Sequence, residues 1–169
     1  MEASLALVAD LGRTYSRIGY SGDDWPRLNM ESYLAYKIEN QSVNGDWDPT
    51  AGLPLPTKIK ILAGEKLHGY NPEFTYEPLW KDGSLANNPR LADYFSTEIL
   101  PTLNLEAKSM PLLMSEHNAV TKEERKTLLN TLLESNVCSH LFMMRQSLLS
   151  LYSCGKINGA VIDSSSQYT

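Results

Sequence analysis

Two aspartates stand where a short apolar run gives way to a loop of small residues. Asp10 follows Leu5–Ala9 and precedes Leu11-Gly12-Arg13-Thr14, and Asp163 follows Ala160-Val161-Ile162 and precedes Ser164-Ser165-Ser166. Carboxylates at strand ends are well placed to hold a divalent cation through oxygen ligands, and the loops behind them can aim backbone N–H groups at a phosphate. Aspartate also commonly opens the turn after a strand, and spacing alone favours that structural reading. Arg13 and Arg17 flank the first loop and could face an anion, although alone they read as surface residues. His68, His117 and His140 share no metal-ligand spacing. Ser164–Ser166 lacks the Gly-x-Ser-x-Gly turn that exposes a serine nucleophile. Cys138 and Cys154 make no Cys-x-x-Cys pair and read as free thiols in a reducing compartment.

Those residues need elements to position them. Leu5–Ala9 and Tyr15–Tyr20 read as two strands of a hairpin around the Gly12 loop. From Leu28 to about Tyr70 the periodicity is weak. The turn-rich Asn44–Pro56 stretch predicts an exposed loop, and Lys58–Leu62 a strand. Leu91, Tyr94, Phe95 and Ile99 recur at helical spacing, with Pro101 as the stop. Pro111–Ser115 predicts a buried strand. Thr121-Lys122-Glu123-Glu124 is a capping box for a helix presenting Leu128, Leu129, Leu132 and Leu133 to a core. His140–Met144 predicts a strand, Gln146–Ser153 a helix ended by Gly155, and Ala160–Ile162 a last strand. The Lys122–Lys126 run mixes signs and reads as a solvated helix face. Strands alternating with helices after a hairpin predict an α/β domain with a mixed sheet, antiparallel first and parallel after.

The chain has 169 residues, 42% hydrophobic and 21% charged, enough to close one packed core. Fifteen basic against twenty acidic side chains give a net charge of -5. That balance argues against a dedicated nucleic-acid binder. The longest apolar runs fall far short of the ~18 residues that span a bilayer. Met1-Glu2-Ala3 opens no secretory signal, so an intracellular, soluble protein is expected.

Taken in order, these pieces resemble the N-terminal half of the actin and actin-related protein family. Ala6–Gly12 followed by Gly19–Arg27 looks like the family's first phosphate loop and hairpin. Glu77–Gly83 is similar to the segment re-entering the main domain, Pro111–Glu116 and Gln146–Gly155 continue the match, and Val161–Ser164 looks like the second phosphate loop. The match is weakest between residues 28 and 64. Leu113-Met114-Ser115-Glu116 and the stretch from Leu67-His68 to Pro78-Leu79 look most like nuclear actin-like proteins of chromatin-remodelling and histone-acetyltransferase complexes.

The resemblance implies an actin-like ATPase, ribonuclease-H-like fold, present here as a first lobe with flanking helices. Residues 1–28 and 71–158 would form the core, 29–70 an inserted small subdomain, and 159–169 the start of a second lobe cut short. It also implies ATP and Mg²⁺ in a cleft. Asp10 and Asp163 would be the metal-side carboxylates, acting through waters. Gln146 would orient the attacking water, and Gly12, Arg13, Thr14, Arg17, Ser164 and Ser165 would face the nucleotide. Arg17 stands where the family has a phosphate-binding lysine, keeping the charge with another geometry. Arg13 and Thr14 replace a small Ser-Gly pair, and Ser165, Ser166 and Gln167 replace glycines and an aspartate, so both loops lose backbone freedom. A water-activating histidine and the second lobe would lie beyond Thr169. The expectation is therefore a chain that does not hydrolyse ATP and binds it weakly or not at all. Its partners would be other protein subunits, actin or a remodelling-complex subunit among them, in the nucleus rather than the cytoplasm. The alternative is a nucleotide-binding cytoskeletal relative.

Overall fold

In a computed structural model, residues 5–40, 57–63, 67 and 71–163 are described. The expected loop at Asn44–Pro56, together with His68, Ser164, Ser165, Ser166 and Gln167, lies outside them. In chain order the strands are β1 Leu7–Leu11, β2 Tyr15–Tyr20, β3 Leu28–Glu31, β4 Tyr33–Asn40, β5 Thr57–Ala63 and β6 Thr75–Pro78, followed by β7 Leu112–Glu116 and β8 Leu141–Arg145. The helices are α1 Leu91–Tyr94, continued by a π-turn over Phe95–Ile99 into α2 Leu100–Thr102, then α3 Lys122–Glu134 and α4 Gln146–Ser153.

Strict alternation decides the first hairpin. Leu7, Ala9 and Leu11 of β1 and Ser16 and Ile18 of β2 are buried on one face. The antiparallel register runs from Leu7 opposite Tyr20 to Leu11 opposite Ser16. Gly12 is needed at the turn, because a Cβ there would sit 2.6 Å from the carbonyl oxygen of Tyr15. The main sheet has five strands in the order β3-β2-β1-β7-β8, antiparallel on the β3 side and parallel from β1 to β8. Its buried face shares one core with Leu91, Tyr94, Phe95 and Ile99 and with Leu128 and Leu132 of α3. On the opposite face Val8, Leu113 and Phe142 stand in one row across three strands, with Phe142 58% exposed.

A second sheet, ordered β5-β4-β6, joins the same core through Leu34 and Ile61. The expected insertion at 29–70 is drawn differently. β3 pairs with β2 in the main sheet, whereas β6 pairs with β4, so the second sheet runs from Tyr33 to Pro78. Two chain crossings join the sheets, at Ser32 and Leu79. The Leu79 amide donates to the Ser32 carbonyl at 2.8 Å, and Asn88 Nδ2 donates to the Leu79 carbonyl at 3.0 Å.

Three local expectations need correcting. Pro101 does not stop its helix. The turn before it widens, the Leu100 amide reaching back five residues to Phe95, and the proline sits in the first turn of α2 where its missing N–H costs least. Leu133 is 38% exposed, at the margin of the stripe that buries Leu128 and Leu132. Ala160–Ile162 is not a strand. Apolar residues form a strand only with a ladder partner, none of the described residues pairs with these, and Ile162 is 89% exposed.

The capping box of α3 is complete. Thr121 Oγ1 accepts from the Glu124 amide at 3.2 Å, and the Glu124 carboxylate accepts from the Thr121 amide at 2.8 Å. The Ser84 hydroxyl first, then the Thr121 amide and hydroxyl, hold the Glu124 carboxyl below its ordinary value of 4.5. A depressed value means stabilisation that is present above the unfolded-state pKa and lost as pH falls through the lower folded-state value. At the alkaline end, burial pushes the Tyr94 phenol up to about 12, with the Ser16 hydrogen bond opposing and the Glu98 charge adding. A raised value means stabilisation complete below the ordinary 10 and lost as pH climbs towards 12. We expect Thr121→Ala to cost about 1 kcal/mol at neutral pH and to make the acid limb of stability shallower, with the Ser84 contact left in place. Urea melts across the acid range test this; an acid limb identical to wild type would contradict it.

Candidate functional site

Asp10 is the penultimate residue of β1, and alternation turns it away from the core. Across the hairpin its register partner is Arg17, whose Nη1 lies 3.7 Å from Asp10 Oδ2. Their side chains are 52% (Arg17) and 40% (Asp10) exposed, so the pair contributes at most about 1 kcal/mol. On the other side β7 runs parallel to β1, which brings Ser115 to the same end of the sheet. Ser115 Oγ donates to Asp10 Oδ1 at 2.5 Å. β8 then delivers the chain straight into α4, so Gln146 stands at the carboxyl end of the parallel strands. Its Nε2 donates to the same Asp10 oxygen at 3.0 Å. Four residues from three strands and one helix thus converge at the strand ends, the usual ligand crevice of an open α/β sheet.

The Gly12–Thr14 loop is held from the side. Trp80 Nε1 donates to the carbonyls of Leu11 at 2.9 Å and Gly12 at 3.1 Å. The Arg13 guanidinium lies 4.8 Å from the Trp80 ring centre and donates to the Gly83 carbonyl at 3.3 Å. The long Arg13 side chain, expected to crowd the loop, is therefore folded back along the Trp80–Gly83 turn. Thr14 is exposed, and its carbonyl accepts from the Ser32 amide at 2.9 Å.

Below the network lies a pocket lined by Trp80, Ser84, Ser115, Glu116, Val120 and Gln146 among others. Its volume is about 60 Å³, room for a few waters. Its buried carboxylate, Glu116, is gripped by both arms of Arg125, with Nε at 2.9 Å from Oε2 and Nη2 on Oε1.

The structure joins Asp10, Arg17 and Gln146 and sets Gly12, Arg13 and Thr14 beside them. It does not bring Asp163 to a strand end; that residue is exposed and lies outside any strand or helix. A cation ligated directly by Asp10 does not fit these partners, since Oδ1 already accepts two hydrogen bonds and Oδ2 faces a guanidinium. Among the described residues no group of three or more His, Cys, Asp and Glu is placed to hold a metal ion. His117 Nδ1 accepts from the Ala119 amide instead. Sequence reasoning gave no role to Ser115, Trp80 or Arg125. The parallel pairing of Pro111–Ser115 with the Asp10 strand would have pointed to the serine; nothing in local spacing points to the other two.

Comparison with known proteins agrees with this frame. The actin family model matches residues 1–169. The chain is 26% identical to actin-related protein 4 of Debaryomyces hansenii, over 94% of this chain and 31% of that protein, and 26% identical to that of Yarrowia lipolytica, over 95% and 36%. It is 24% identical to actin-like protein 9 of Rattus norvegicus, over 93% and 36%. The chain thus spans about a third of the length of the curated relatives it matches. The mixed sheet and its helices have the form of the first lobe of an actin-like fold. This chain belongs to the actin family.

Proposed function

We propose that this actin-related chain is a non-catalytic scaffold. It works by binding other protein subunits, actin or a remodelling-complex subunit among them, in a nuclear assembly of chromatin-remodelling or histone-acetyltransferase type. The observation that carries the proposal is the commitment of Asp10. Both carboxylate oxygens face partners within the chain, through Ser115, Gln146 and Arg17. With Oδ1 taking two hydrogen bonds and Oδ2 set 3.7 Å from a guanidinium, the carboxylate favours a role in positioning strand ends over organising a water shell around a cation. The altered loop residues Arg13, Thr14, Ser165, Ser166 and Gln167 support the same reading, as do relatives named actin-related protein 4. No described helix is long and apolar enough to cross a membrane.

A second reading, a nucleotide-responsive actin-like protein that takes ATP with Mg²⁺, draws on one observation. Asp10 and Gln146 still meet within hydrogen-bond distance at the strand ends. Affinity capture with the tagged chain, with and without ATP, separates the two. The scaffold reading predicts the same partners at the same yield for wild type and Asp163→Ala under both conditions. Partners that require ATP and are lost in Asp163→Ala would favour the second reading.

A further inference from the structure

Three carbonyls of the first loop, those of Leu11, Gly12 and Thr14, accept hydrogen bonds from outside it. Trp80 has one donor, its indole N–H, and shares it between the carbonyls of Leu11 and Gly12. From the other side Arg13 lies over the same indole and reaches the Gly83 carbonyl. The turn it reaches is itself closed. The Lys81 amide donates to the Ser84 carbonyl at 3.1 Å and the Ser84 amide returns to Lys81 at 2.9 Å. Asp82 and Gly83 have φ of 49° and 82°, the left-handed pair a two-residue hairpin turn requires. The far end of the loop is pinned by the Ser32 amide on the Thr14 carbonyl, and the Leu79 amide on the Ser32 carbonyl closes the circuit to the residue before Trp80.

We infer that Arg13 and Trp80 form a latch that holds the first loop ordered without a bound phosphate. The inference deepens the scaffold reading, because it supplies from within the chain the order that an anion would otherwise give a loop of this shape. A planar guanidinium suits the task, since it stacks on an aromatic face and donates in the ring plane at once. A phosphate approaching the loop must compete with the ring and the Gly83 carbonyl for this cation. The latch also fixes the Trp80–Leu85 wall of the pocket beside Gln146.

Hydrogen exchange of the full chain tests this, followed together with Trp80 emission in a Trp25→Phe, Trp47→Phe background. Arg13→Ala should speed exchange of the Ser32, Lys81 and Ser84 amides, which pin the loop and close the turn, about tenfold, the scale of one cation–π contact with one charge-assisted hydrogen bond, and shift Trp80 emission to the red. Arg13→Lys, which keeps the charge and loses the planar fork, should fall between the two. Amides of α3 should not change, which separates a loosened loop from a loosened fold. Wild-type exchange and emission in both variants would overturn the latch. Added Mg-ATP or pyrophosphate should leave wild-type loop exchange unchanged. Protection gained by wild type with either probe would count against the scaffold reading, while the Arg13 variants still judge the latch.

Discussion

Phe95→Ala should lower stability by about 3–5 kcal/mol, the largest loss expected of any single truncation in this fold. Phe95 has no exposed surface and begins the π-turn. It meets Tyr94 edge to face, with ring centres 6.2 Å apart, in the core that also holds Ile61 of the second sheet. Removing the ring leaves a cavity in that core, and a turn already widened by one residue has little freedom to collapse into it. At roughly 2–4 °C per kcal/mol for a chain of this size, Tm should fall by about 6–20 °C. Phe95→Leu should cost clearly less, because most of the volume stays. Denaturant melts measure both. A loss below about 1 kcal/mol for Phe95→Ala would mean that the two sheets do not share one sealed core.

Arg125→Ala comes next, with an expected loss of about 3 kcal/mol. The reason is the state in which it leaves Glu116. That side chain is only 2% exposed, and its two oxygens both take their hydrogen bonds from Arg125. Without the arginine a buried carboxylate stands unpaired, and the cost is its desolvation rather than the worth of the ion pair. Glu116→Gln combined with Arg125→Ala should recover part of the loss, because a neutral amide is cheaper to bury. Arg27→Ala offers the contrast. Its partner Asp23 lies four residues away at 2.6 Å, but Arg27 is 59% exposed, so solvent screens the pair and the change should cost far less. Similar losses for the two arginine variants would refute the distinction.

Elements set by local chemistry were legible from sequence. Alternation marks Tyr15–Tyr20, the capping box marks the start of α3, and Gly155, with φ of 67°, follows α4 closely. The four-residue strands β3 and β6 were not: β3 alternates, but over only four residues, β6 shows no regular alternation, and both owe their existence to partners. Ala160–Ile162 shows the reverse error, an apolar triplet read as a strand without a partner to make it one. The site divides the same way. Asp10, Arg17 and Gln146 were legible through the family resemblance. Ser115 reaches Asp10 across 105 residues and Trp80 reaches Leu11 across 69, so only the parallel register and the sheet crossing bring them in. Asp163 matched a motif, but the described structure gives it no strand to stand on.

We propose that Asp10 and the first loop are held from within the chain and work without a nucleotide. A thermal melt of the purified chain with and without Mg-ATP tests it most directly. A ligand that binds only the folded state adds about 2.7 kcal/mol at 100 times its Kd, roughly 5–11 °C here. The account predicts no shift for wild type and none for Asp10→Asn. A rise in Tm that grows with Mg-ATP in wild type and vanishes in Asp10→Asn would contradict it.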